Sequence, residues 1–248
     1  MDGQPTRAGL AALVPAAWRG FFAFLLRPTL PDRAIGMAVA GFGAVARLFA
    51  LDLLLMTLLI GGIALLTVLG LELPEHALEN LELGPALIAF ILIGAPIGEE
   101  VVFRSWLSGR PGHLGAMLLL ALAGGGLLIA TRADEPPTGV AALVGLVAGL
   151  ALALLLLWRL RRRPAWGWFQ RHFRWFYFAS ALAFAAIHLF NFGEGATAAM
   201  LPLVLPQLVL GLMLGYIRVI HGLWASVLLH ALHNAVFIGL VLAASSAA

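Results

Sequence analysis

Apolar residues along this chain gather into long runs separated by short polar breaks. Seven runs are read as membrane-crossing helices: roughly Leu48–Leu69, Gly84–Leu107, Leu114–Ala130, Val140–Trp158, Trp175–Phe190, Ala196–Ile220 and Leu223–Ala244. About 20 apolar residues in a helix cover the hydrocarbon core of a bilayer. The stretch from Ile35 to Leu69 is too long for one crossing at ~1.5 Å per residue, so Ile35–Ala46 is assigned to an interfacial or re-entrant piece. Leu10–Leu26 mixes short apolar runs with Pro15 and Arg19. It reads as an amphipathic surface helix with Trp18, Phe21, Phe22 and Phe24 at the interface; its charge layout is wrong for a signal peptide. The predicted fold is an all-α polytopic membrane helix bundle, with about seven transmembrane helices plus an N-terminal interfacial segment. Residues 1–47 form the cytoplasmic or interfacial part and 48–248 the transmembrane domain.

Composition removes the alternatives. The chain is 62% hydrophobic and 11% charged, against about a quarter charged in an average soluble domain. A soluble fold could not hide so much apolar surface, and disorder needs the opposite balance. There is no Cys, so thiolate metal sites, disulfides and thiol catalysis are excluded. All fifteen cations are Arg, so no Lys is present for a Schiff base or a P-loop.

The net charge of +3 reports topology, with the lipid bilayer as partner and no nucleic acid. Arg7, Arg19, Arg27, Arg33 and Arg47 precede the spans, and Glu72, Glu75, Glu79 and Glu82 fill the first loop. The second loop holds Arg110; the third mixes Arg132 with Asp134 and Glu135. The fourth holds Arg159, Arg161, Arg162, Arg163, Arg171 and Arg174, the fifth Glu194 and the sixth Arg218. This alternation puts the N-terminus in the cytoplasm and the C-terminus outside. The Ala, Arg, Gly and Leu bias suggests a bacterial inner membrane. The small-residue pairs Gly94/Gly98, Gly145/Gly149 and Gly211/Gly215 read as close helix packing, with dimerisation the alternative.

Ionisable groups inside spans are costly and are functional candidates. Those singled out are Glu99, Glu100 and Arg104 in the second span, His188 in the fifth, and His230, His233 and Asn234 in the seventh. Adjacent residues point about 100° apart on a helix, so the two Glu have different roles. Glu100 and Arg104 stack one turn apart and can pair, with Arg104 reaching toward the cytoplasm. Glu99 is then the carboxylate with no local partner, the kind of group that general acid–base chemistry uses. Pro96 frees a backbone carbonyl and kinks the helix beside the pair. Phe184 shares a face with His188, and His230 with Asn234. Each segment alone also reads as a buried polar cluster that only fixes packing. One depth mismatch is visible. Glu99 and His230 lie ~12 Å from the cytoplasmic ends of their spans and His188 ~20 Å, so the fifth helix must start later or tilt.

Glu-Glu-x-x-x-Arg at Glu99–Arg104, Phe-x-x-x-His at Phe184–His188 and His-x-x-x-Asn at His230–Asn234 together resemble the CPBP family. That family comprises CAAX prenyl endopeptidases and bacteriocin-processing or abortive-infection membrane proteins. Ser180–Phe184, Gly211–Tyr216 and Gly222–Ser226 add to the likeness, which covers about Pro96–Arg104 and Trp175–Phe237. The resemblance implies an intramembrane endopeptidase acting on a membrane-associated peptide or protein. Glu99 and His188 would activate water, His230 and Asn234 would stabilise the oxyanion, and Glu100, Arg104 and Phe184 would support them.

Two departures stand out. Glu99 and His188 are 89 residues apart, which marks residues 114–158 as an inserted helical hairpin. His233 is an extra imidazole that could substitute for a neighbour or join a metal site. No cofactor is firmly assigned. Zinc on Glu99, His188, His230 and His233 is the alternative, but no His-Glu-x-x-His pair is present. A catalytically silent scaffold or partner-binding protein of the same fold, or a transporter, are the competing functions.

Overall fold

The computed structural model describes residues 16–70, 74, 83–132, 138–192 and 202–247, with side chains up to residue 243. Arg7, Leu10–Pro15, the loop residues Glu72, Glu75, Glu79, Glu82, Asp134, Glu135 and Glu194, and the start of Ala196–Ile220 lie outside them. The described elements are helical: α1 (Ala16–Leu26), α2 (Val39–Val68), α3 (Pro85–Ala89), a π-helix (Phe90–Gly94), α4 (Ala95–Arg104), α5 (Pro111–Ala130), α6 (Gly139–Leu160), α7 (Gly167–Arg171), α8 (Phe173–Ile187), α9 (Leu205–His221) and α10 (Leu223–Ala247). Short 3-10 turns follow α4 (Ser105–Ser108) and α8 (His188–Asn191). Seven helical stretches are long and apolar enough to cross a membrane: Val39–Val68, Pro85–Ser108, Pro111–Ala130, Gly139–Leu160, Phe173–Asn191, Pro202–His221 and Leu223–Ala243. The chain is an all-α polytopic integral membrane protein.

Two compact units form, Met1–Arg104 with Phe173–Ala248, and Ser105–His172. In the first, α9 is central: 56% of its span is buried, against 33% or less in every other. Leu210, Met213, Leu214 and Ile217 of α9 meet Val45, Leu48 and Leu51 of α2, Phe184 of α8, and Ala225 and Leu229 of α10. Gly222 lets α9 and α10 follow each other without a loop. Its φ of 107° lies where a side chain would clash, and its amide closes the end of α9 by donating to the Arg218 carbonyl (3.0 Å).

The second unit is a hairpin of α5 and α6. Gly112, Gly115 and Gly149 let the two backbones approach, since a Cβ at Gly149 would lie 2.9 Å from that of Ala123 and one at Gly112 3.1 Å from that of Leu160. The Thr138 hydroxyl caps α6 by accepting from the Ala141 amide (3.2 Å), and the Trp166 amide ties the far end to the Gly109 carbonyl (2.9 Å). The outer faces of both helices, with Leu118, Leu122, Val140 and Leu143, are exposed and apolar, as lipid contact requires.

Three expectations are corrected. No break separates Ile35–Ala46 from the first span. The helix runs unbroken from Val39 to Val68, so the division at 47/48 falls inside it. Its length of ~45 Å exceeds the hydrocarbon core, but protein contacts hold its first half. Gly41, Ala44, Val45, Leu48, Leu51, Asp52 and Met56 form one buried stripe, and a Cβ at Gly41 would lie 2.8 Å from the Trp224 ring.

In α1, Phe21 and Phe24 turn into the protein and not to the interface. Phe24 packs 5.1 Å from both the Tyr177 and Tyr216 rings, and Phe21 is 2% exposed. Phe22 is exposed, and the Trp18 indole donates to the Arg47 carbonyl (2.6 Å). Arg218 is not a loop cation. It is buried in α9, where its Nε donates to the Arg104 carbonyl (3.0 Å), so it drops out of the charge alternation.

Candidate active site

The local geometry of the second span starts with Pro96. In the π-helix, amides donate five residues back, as Ala95 does to the Phe90 carbonyl. The next donor in that register would be residue 96, which is proline and has no N–H. The Ile91 carbonyl is thus left over, and the Asn234 side-chain amide donates to it at 2.9 Å. A regular α-helix would leave the Leu92 carbonyl free at Pro96; the π register shifts this by one residue, and α10 grips Ile91. The other end of α4 is held the same way. The Ser180 hydroxyl donates to the Phe103 carbonyl (2.7 Å) and Arg218 to that of Arg104, both among the unpaired acceptors of a helix C-terminus.

Between these anchors α4 presents Glu99 and Glu100 on different faces. Glu100 is wholly buried, and its Oε1 accepts from Arg104 Nη1 (2.9 Å) and His230 Nδ1 (3.1 Å). Arg104 does not reach an exposed end of its helix. It is 0% exposed, with its guanidinium carbon 3.9 Å over the Phe184 ring. Gly211 opposite makes room, since a Cβ there would lie 3.2 Å from Phe184 and 3.3 Å from Arg104 Nη2. His230 Nε2 faces Glu99 Oε2 at 3.7 Å, so one imidazole bridges both carboxylates. Glu99 is 33% exposed, and its Oε2 has no hydrogen-bond partner.

His188 joins from α8. That helix begins at Phe173, so a later start does not explain its depth; His188 opens the 3-10 turn just past the helix end. Its Nδ1 donates back to the Phe184 carbonyl (2.7 Å), and its ring packs 4.6 Å from the Phe184 ring. The bond leaves Nε2 as the acceptor nitrogen. Glu99, His230 and Arg104 all lie within electrostatic reach of the ring. Phe184 is the common floor, touching Arg104, His188 and, edge-on at 5.6 Å, His230.

The structure thus gathers Glu99, Glu100, Arg104, Phe184, His188 and His230, with Asn234 gripping the turn above them. It sends His233 elsewhere, to Asp52 of α2, whose Oδ2 lies 2.8 Å from His233 Nδ1. The four-residue zinc set therefore does not assemble. Among the described residues no group of three or more His, Cys, Asp or Glu side chains is placed to hold a metal. Asp52 and Arg218 escape a sequence reading. For Asp52 the signal is present: it is the only charged residue in Leu48–Leu69.

Two carboxylates, two imidazoles and a carboxamide thus meet inside a polytopic helical membrane protein. Residues 81–236 match the family described as type II CAAX prenyl endopeptidase Rce1-like. The match spans more than half of the chain and every motif residue from Glu99 to Asn234, and the chain belongs to that family, within the CPBP proteins. At family level it is a CAAX-type intramembrane protease. No curated protein and no solved structure matches it.

Proposed function

We propose that the protein is an intramembrane endopeptidase that hydrolyses a peptide bond of a membrane-associated substrate with a water activated by Glu99 and His188. The observation that carries this reading is Glu99, whose side chain is one-third exposed and whose buried Oε2 has no hydrogen-bond partner, while Glu100 is wholly buried in its pair with Arg104. A carboxylate with a free lone pair and an imidazole with a free Nε2 are two acceptors for the two protons of one water. The water oxygen attacks the carbonyl carbon, Glu99 takes the proton, and the negative charge grows on the carbonyl oxygen. Asn234 spends one N–H on Ile91 and keeps the second for that oxygen. His230, held at Nδ1 by Glu100 and facing Glu99 through Nε2, is the second group assigned to that oxygen. The C–N bond then breaks and the leaving nitrogen takes the proton that Glu99 holds. Glu100, Arg104 and Phe184 aim His230 and His188 and do not touch substrate. No step runs through a metal.

Glu99→Gln keeps shape and hydrogen bonding but cannot take a proton. Loss of a general base costs ~10²–10⁴ in rate. The expected result with purified protein and a membrane-peptide library is cleavage by wild type with or without chelator, and loss on that scale in Glu99→Gln at unchanged melting temperature. Wild-type cleavage by Glu99→Gln rejects the assignment. Wild type that cleaves nothing leaves a silent member of the family.

A further inference from the structure

We infer that Asp52 and His233 form a positioning pair that fixes the rotation of α10 about its own axis, and through it the aim of His230 and Asn234. The inference rests on the hydrolase reading above. Asp52 lies outside the residues that match the family, 81–236, so nothing in that match assigns it.

His230 and Asn234, one turn apart, both point at the second span, to Glu99, Glu100 and the Ile91 carbonyl. Those bonds lie along a single face, and the core packing of Ala225 and Leu229 adds apolar contact without hydrogen-bond direction. His233 lies ~60° round the helix from His230 and binds α2. With attachments in two directions the roll is set.

The magnitude is small in angle and large in effect. Side-chain tips stand ~6 Å from a helix axis, so a roll of about 10° displaces them by about 1 Å. A misplacement of ~1 Å costs about a hundredfold in rate.

The chemistry of residue 52 points the same way. Asp52 is 0% exposed, its Oδ1 has no hydrogen-bond partner, and it sits in a helix whose most apolar window has a mean hydropathy of 2.4. Ionised groups are costly there, and an apolar side chain of similar volume packs such a contact as well or better. What an apolar side chain lacks is direction. The bond at 2.8 Å specifies one angle between α2 and α10.

The test compares Asp52→Leu with Asp52→Asn, which keeps an acceptor oxygen for His233 Nδ1–H. The expected result is that Asp52→Leu lowers kcat by about 10- to 100-fold with KM within about twofold and no loss of melting temperature, and that Asp52→Asn recovers most of kcat. A cysteine-free chain also accepts a clean label pair. Spin labels on Cys at the exposed positions Leu58 of α2 and Leu240 of α10 should give a narrow distance distribution in wild type and Asp52→Asn, and a broadened or shifted one in Asp52→Leu. Equal distributions in all three overturn the inference. So does an Asp52→Asn variant as slow as Asp52→Leu, which would put the effect in the charge and not in the direction. If wild type cleaves no substrate, the hydrolase reading fails while the label distances still decide the positioning.

Discussion

Arg104→Ala is the perturbation that separates a structural carboxylate from a catalytic one. The guanidinium is sealed between Glu100 at 2.9 Å and the face of Phe184 at 3.9 Å. Removing it leaves Glu100 wholly buried, with Oε2 already without a hydrogen-bond partner and His230 Nδ1 as its remaining contact. Breaking a buried pair from one side costs ~3–5 kcal/mol, and a desolvated cation–π contact adds about 2 kcal/mol. The double variant Glu100→Gln with Arg104→Gln loses the ring contact but strands no charge, so it should cost less than half as much. At roughly 2–4 °C per kcal/mol for a chain of this length, Arg104→Ala should melt about 10–28 °C below wild type. The double variant should lose less than half of that. The assay is a thermal melt in detergent for wild type, both variants and Glu99→Gln, with cleavage measured beside it. Equal loss in Arg104→Ala and the double variant would refute the stranded-charge argument, and a large loss in Glu99→Gln would refute the division of labour between the two carboxylates.

Pro96→Ala supplies an amide that competes with Asn234 for the Ile91 carbonyl; the variant should melt no lower than wild type while cleavage falls about tenfold, and unchanged cleavage would detach the π-helix from catalysis. We propose that the α5–α6 hairpin, expected over residues 114–158, is an addition to a core that folds without it; a variant joining Gly112 to Arg171 through a short polar linker should insert and give a detergent-stable species, and complete loss of one counts against this. We also propose a cytoplasmic N-terminus and an external C-terminus in a bacterial inner membrane; a reporter after Ala248 should read external and one within Arg161–Arg163 cytoplasmic, and the same side for both would sink the topology.

What the residues declare in advance is what is local. Span positions follow from apolar length, and the Glu100–Arg104 pair from a four-residue spacing. Pro96 marks where a carbonyl is left over. Facing is a different matter. In a bilayer an apolar residue is as content against lipid as against protein, so hydropathy cannot say that Phe21 and Phe24 turn inward while Phe22 turns out. Nor can it say that Val39–Arg47 belongs to the same helix as the span after it, with Trp224 packed on Gly41. The decisive polar contacts join residues 130 and 181 positions apart, His230 with Glu100 and His233 with Asp52. The four-residue set named for zinc does not come together because of that second contact, since it groups His233 with its neighbours in sequence and not with its partner in space.

The two buried acids differ in when they find company. Glu100 meets Arg104 within one turn, so that acid enters the bilayer already paired. Asp52 waits for a residue 181 positions later, roughly 10–40 s of synthesis at ~5–20 residues per second. During that interval α2 holds an acid that disfavours insertion by about 2.5–3.5 kcal/mol, set against leucines and isoleucines that favour it by ~0.3–0.6 each. The high hydropathy of that helix, 2.4 over its most apolar window, therefore serves the nascent chain as much as the finished protein. It holds the first span in the membrane until the last one arrives.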